Sequence, residues 1–215
     1  NYSSLEQEII KEINRSRTDP VSYANWLESM KQYFDGSNYT LPGENSVRSN
    51  KGLEALNEAI VFLKTLKPLE ALNISKDLTN NAKNRFALEA NSTNSNHSIS
   101  EDENITYGKQ TAQAIVMQLI MDDGVADRHH RRNILNVNAR TSGIACGDHS
   151  IYKNMCVITI SNNGAETNKI EPNLDHPTEN PTSSKIPSRL LMSKNGSLAK
   201  GDLTLSDDGS LYDSY

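Results

Sequence analysis

Hydrophobic positions in the first half of the chain recur at helical spacing. Leu5, Ile9 and Ile13, with Ile10 beside them, predict an amphipathic helix. Ser4 followed by Gln7 reads as a capping box at its start, each side chain satisfying a backbone donor that the first turn leaves orphaned. Asp19-Pro20 predicts an N-cap followed by proline at the first position of a second helix, whose apolar side is Tyr23, Trp26, Leu27 and Met30. Residues 36–50 are rich in turn formers and read as a loop. Leu53, Leu56, Ile60 and Leu63 form the cleanest apolar stripe, and Pro68 ends that helical region. Ser75 can cap a fourth helix through about Glu89, with Leu78, Ala82 and Phe86 turned inward.

The second half changes period. Residues 91–104 are polar and read as a loop. A fifth helix, 109–122, is apolar nearly all round (Ala112, Ile115, Val116, Leu119, Ile120), the pattern of a buried helix, and Gly124 stops it. Two strand-like runs follow, 141–146 and 155–161, joined by a turn over 148–154. The β-branched Val157, Ile158 and Ile160 suit a sheet. Beyond residue 163 the texture becomes polar and aperiodic. The pattern therefore predicts a domain over 1–164, a linker over 165–187 holding four of the seven prolines, and a tail over 188–215. In that tail Asn195-Gly196-Ser197-Leu198 is echoed by Asp208-Gly209-Ser210-Leu211, as in a short hairpin or the start of a further module.

Charge and composition narrow the classes. The 215 residues carry a formal net charge of −5, and basic residues cluster only at 128–132, which argues against a nucleic-acid groove. No apolar run approaches the roughly 20 residues that span a bilayer. Residue 1 is Asn, read here as a trimmed or mature start. Cys146 and Cys156 fall on the two adjacent strands. A bridge is expected if the chain is secreted, and two reduced core cysteines on one sheet face are the alternative. His149, in the hairpin turn, and His176, in the tail, are expected to be solvated.

Candidate chemistry gathers around the fifth helix. His97 and Glu103 precede it, Asp122 closes it and His130 follows. If the helix runs antiparallel to its flanks, these four converge on one cleft. Two imidazoles and two carboxylates make a ligand set for zinc or another borderline divalent ion. The same groups suit general acid–base work. A bland reading makes His130 a hydrogen-bonding residue at a helix end, Glu103 a loop charge, and Arg131 and Arg132 surface charges.

Asp102-Glu103-Asn104-Ile105 with Tyr107-Gly108, His130-Arg131-Arg132-Asn133-Ile134-Leu135, Gly143-Ile144-Ala145-Cys146-Gly147 and Met155-Cys156-Val157-Ile158-Thr159 together resemble the CAP superfamily, the cysteine-rich secretory, antigen 5 and pathogenesis-related group, in its bacterial or protist form. The resemblance covers roughly residues 3–163. It implies an α+β fold, a three-layer α–β–α sandwich around a central antiparallel sheet, and a secreted, extracellular or periplasmic location. It also implies a cavity with two histidines and two acids, matched here by His97, Glu103 and His130, with Asp122 in the place usually held by Glu. His129 stands where the family usually has glycine.

These features support a secreted binding protein whose His/acid cleft takes a divalent metal and a lipid or sterol-like ligand. An apolar groove for such a ligand would come from the 53–66 helix or the region around Trp26. The alternatives are a metal-assisted hydrolase, with Glu103 and His130 carrying catalysis, and an interaction module with a protein partner, displayed through the C-terminal tail.

Overall fold

Ser3, not Ser4, opens the first helix. Its Oγ accepts from Glu6 N–H and the Glu6 carboxylate accepts from Ser3 N–H, so the capping box lies one residue before its expected place. The other Glu6 oxygen accepts from Cys146 N–H. That long-range bond gives the Ser3 and Glu6 pairing an advantage that local spacing could not show. The computed structural model describes residues 2–91 and 102–162.

Helices α1 (Ser4–Thr18), α2 (Pro20–Met30), α3 (Leu53–Thr65), α4 (Lys76–Glu89) and α5 (Ala112–Met121) follow the predicted stripes. Asp19 accepts from Ser22 N–H with Pro20 just inside α2, and Ser75 caps α4 through Leu78 N–H. The fifth helix starts at Ala112 rather than 109, because Thr111 caps it and Glu44 accepts from Gln110 and Thr111 N–H. The segment 36–50, expected as a loop, holds two of three two-residue strands, β2 (Asn38–Tyr39) and β3 (Val47–Arg48), which pair antiparallel with β1 (Phe34–Asp35) just before it in the order β1-β2-β3. The run after Arg128 forms a short helix, α6 (His129–Ile134).

The main sheet has the order β4-β6-β7-β5, from β4 (Asn73–Ile74), β6 (Thr141–His149), β7 (Lys153–Ser161) and β5 (Glu103–Tyr107). Its three longer strands are antiparallel, but β4 runs parallel to β6, so the sheet is mixed rather than wholly antiparallel. The long separation between β4 and β6 in sequence permits that parallel edge, since a parallel pair needs a crossover. Residues 103–107, of which the first two were expected in a loop, become an edge strand, because β7 offers them an unpaired row of backbone groups.

Alternation along β6 and β7 places the two cores. Ile144, Cys156, Ile158 and Ile160 face the large cluster formed by α1, α2, α3 and α5. Ala145, Met155 and Val157 face α4 through Ala82 and Phe86, with Ile105 and Tyr107 of β5 on the same side. Both faces of the hairpin are covered, which is why Ile144, Ala145 and Cys146 and then Met155, Cys156, Val157 and Ile158 are apolar at successive positions. The result is an α–β–α sandwich with α4 on one face and α1, α5 and α6 on the other. Gly143 allows α4 to approach β6: a Cβ there would strike the backbone of Leu78 and Thr79. Thr159 Oγ1, on the neighbouring strand, donates to Leu78 O at 3.1 Å.

Cys146 and Cys156 are register partners with Cα atoms 4.2 Å apart and form a disulfide. His149 is buried, contrary to the expected solvated turn. Strand β6 runs on to His149, and its Nδ1 accepts from Ile151 and Tyr152 N–H at 3.1 and 3.3 Å, while Tyr107 packs against its ring. His97, His176, the linker and the tail lie outside the described residues.

The fully buried Arg17 ties α1 to the far half of the chain. Its Nε donates to Glu70 O at 2.9 Å, Nη1 to Ile134 O and Asn136 O at 2.8 and 3.0 Å, and Nη2 to Ala139 O at 3.3 Å. Burial, with Arg140 nearby, lowers its pKa from 12.5 to about 10, which leaves it charged at neutral pH.

Candidate functional site

The site is built on the turn between α5 and α6. Asp122 closes α5 in a left-handed conformation (φ 50°, ψ 43°), which Asp tolerates better than most residues. That geometry turns its buried carboxylate back toward α6. His130 Nδ1 lies 2.8 Å from Asp122 Oδ1, and Arg131 N–H donates to Oδ2 at 3.2 Å. A carboxylate can only accept, so Nδ1 carries the proton of the neutral ring and Nε2 keeps its lone pair.

Two arginines fix this turn. Arg128 Nη1 donates to Asp122 O and Val125 O at 2.7 and 2.8 Å. Arg131 donates from Nε to Ile120 O at 2.5 Å and from Nη2 to Met121 O at 3.0 Å. Both also hold Glu58 of α3, at 2.6 and 2.8 Å. Cations at the α5 C-terminus complement its exposed carbonyls and the helix dipole. Hydrogen bonds first from Arg128 and then from Arg131 lower the Glu58 pKa from 4.5 to about 2, against a desolvation that raises it. Arg131 is buried, so it is structural rather than a surface charge.

Beside α6 opens a cleft of about 560 Å³, lined by Asp102, Asp127, His129, Arg132, Asn133, Asn136 and Asn162. Every lining side chain is polar. Arg132 Nη2 donates to Asp127 Oδ2 at 2.7 Å, Asn136 Nδ2 to Asn162 Oδ1 at 3.3 Å, and Asn133 Nδ2 to Asn104 Oδ1 at 3.4 Å. His129 and His130 lie ring against ring, with centroids 3.8 Å apart and planes at 39°.

Of the four residues singled out by sequence, Asp122 and His130 are brought into direct contact. Glu103 lies on the other side of β5, in step with Ile105 and Tyr107, and its carboxylate is 3.6 Å from Arg85 Nε on α4. Its neighbour Asn104 faces α6 instead. Among the described residues no group of three or more His, Cys, Asp or Glu side chains is placed to hold a metal ion. Sequence reasoning did not single out Asp127, Glu58, Asn136 or Asn162, and gave no role to Arg128 or Asn133. Their roles depend on contacts across long separations; in the sequence the region was signalled by His130 with its motif and by the basic run 128–132.

The cysteine-rich secretory protein (CAP) family profile matches residues 44–160, more than half of the 215 residues, and the chain belongs to that family. Among solved structures it is similar to the hookworm platelet inhibitor, at 11% identity and a TM-score of 0.43, over 75% of this chain and 70% of that one. A search of curated proteins finds no match.

Proposed function

We propose that this CAP domain is a secreted binding protein whose polar cleft works around His130, and that His130 Nε2 takes a divalent ion such as zinc. The observation that carries the reading is the 2.8 Å contact between His130 Nδ1 and Asp122, both buried. A carboxylate behind an imidazole fixes ring orientation and tautomer, the usual arrangement behind a metal-binding histidine. Asp122, with both oxygens engaged, acts in this reading from behind the ring rather than as a direct ligand. His97 is proposed as the second imidazole. Glu103 takes part only if its carboxylate leaves Arg85. A bound ion would supply Lewis acidity and an anchor for the ligand's own oxygens.

The polar lining favours a hydrophilic ligand over a lipid or sterol. The apolar stripe of α3 (Ala55, Leu56, Ala59, Ile60, Leu63) is wholly packed into the core. The same Asp–His pair has the composition of a general base, so hydrolysis is the second reading.

The test is thermal unfolding with added zinc. The wild type is expected to gain stability with zinc concentration, and His130→Ala and His97→Ala to lose that gain. No shift in the wild type at saturating zinc would overturn the metal reading. Turnover of a peptide substrate, abolished by His130→Ala, would favour the hydrolase.

A further inference from the structure

Four matches to the acceptor pattern Asn-X-Ser/Thr lie wholly within the described residues: Asn14-Arg15-Ser16, Asn38-Tyr39-Thr40, Asn73-Ile74-Ser75 and Asn104-Ile105-Thr106. A pattern this short arises by chance in a chain rich in Asn and Ser, so the fold decides which of them can carry a sugar. It divides them into two pairs. Asn104 is fully buried, and its amide donates to Ile158 O at 3.4 Å and accepts from Asn133 Nδ2. Asn14 clasps the backbone of Leu72: its Nδ2 donates to Leu72 O at 3.0 Å and its Oδ1 accepts from Leu72 N–H at 2.7 Å. A glycan on Asn104 would have to sit inside the packing between the sheet and α6, and one on Asn14 would break that clasp. Asn38 and Asn73 are exposed, and among the described residues neither side chain makes a hydrogen bond. Asn38 opens β2 straight after the turn at Gly36-Ser37, with Thr40 exposed as well and only Tyr39 between them buried. Asn73 stands on β4, the edge strand of the main sheet, where its N–H donates to Arg140 O at 3.0 Å.

We propose that Asn38 and Asn73 are sites of N-linked glycosylation. In this step the Asn Nδ2 bonds to the anomeric carbon of an oligosaccharide carried on a lipid pyrophosphate. The bond from that carbon to the pyrophosphate oxygen breaks, the lipid pyrophosphate leaves with the electron pair, and one amide proton passes to a base of the transferase. Both positions accept a bulky, hydrophilic group without loss of a buried contact. At Asn73 the sugar also shields an open sheet edge, whose unpaired backbone groups otherwise invite another strand. The inference rests on the secreted placement in the reading above and is independent of its metal.

Glycopeptide mapping by mass spectrometry tests it on the full chain secreted by a eukaryotic cell line, before and after treatment with peptide-N-glycosidase. The expected result is a glycan on Asn38 and on Asn73, and unmodified side chains at Asn14 and Asn104. Asn38→Gln and Asn73→Gln should each remove one step of the electrophoretic shift that the glycosidase collapses, with the unfolding temperature of the deglycosylated chain unchanged. A secreted, folded chain with either site empty overturns the inference, as does one with a glycan on Asn104. Zinc titration of the deglycosylated chain is read separately. Stabilisation by zinc with both sites empty leaves the proposed function standing while this inference falls, and glycans on both sites without any effect of zinc give the converse.

Discussion

Arg17 offers the sharpest test of how the fold is held. Replacing it with Met keeps most of the stem's volume but removes every donor. Four backbone carbonyls, at Glu70, Ile134, Asn136 and Ala139, then lose a charged partner. Hydrogen bonds to charged groups contribute about 1.5–3 kcal/mol each, but water reaching the edges of the site and relaxation make the losses less than additive. Relief of the buried charge's desolvation offsets a further part. We expect a net loss of about 4 kcal/mol, at the upper end for a single substitution. Arg17→Lys keeps the charge, but one ammonium cannot reach carbonyls that a planar fork spans, so about half that loss is expected. Urea unfolding followed by circular dichroism measures both. With a slope of about 2 kcal/mol per molar, the Met variant should unfold about 2 M earlier at unchanged slope. If both variants unfold within about 0.5 M of wild type, the reading of Arg17 as the tie between α1 and the segment after α6 is wrong.

Two further predictions concern the same scaffold. Glu58 has its pKa depressed from 4.5 to about 2 in the folded state, so its contribution to stability is present above pH 4.5 and fades as pH falls toward 2. Glu58→Gln should flatten that part of the stability–pH curve, and an unchanged acid limb in urea titrations between pH 2 and 5 would refute the assignment. Gly143→Ala should cost about 3 kcal/mol or more, because its methyl meets the α4 backbone rather than a flexible side chain. A melting temperature within a degree of wild type would show that α4 can withdraw without loss.

Local pattern was enough for much of this architecture. The stripes of α1, α3 and α5 and the caps of α2 and α4 follow from spacing and from which side chains satisfy orphaned backbone groups, and both are properties of a few neighbouring residues. The β6–β7 hairpin and its cysteine pair were legible for the same reason: a turn sets which residues face each other. The motifs around Glu103 and His130 likewise marked the family.

What tertiary structure alone decided depends on contacts across long separations. Strand β5 exists because β7 has an edge to pair with, and its register sends Glu103 toward Arg85 and Asn104 toward Asn133. In a strand a single step changes the face, so proximity in sequence cannot say which of two adjacent residues enters a cleft. Arg17, Arg131 and His149 are polar residues that local pattern assigns to the surface, yet each is buried, because backbone groups far away or across a turn complete their hydrogen bonds. The sequence thus determined the five longer helices and the hairpin. Only folding determined which polar side chains are buried together, because that depends on partners brought close by the whole chain.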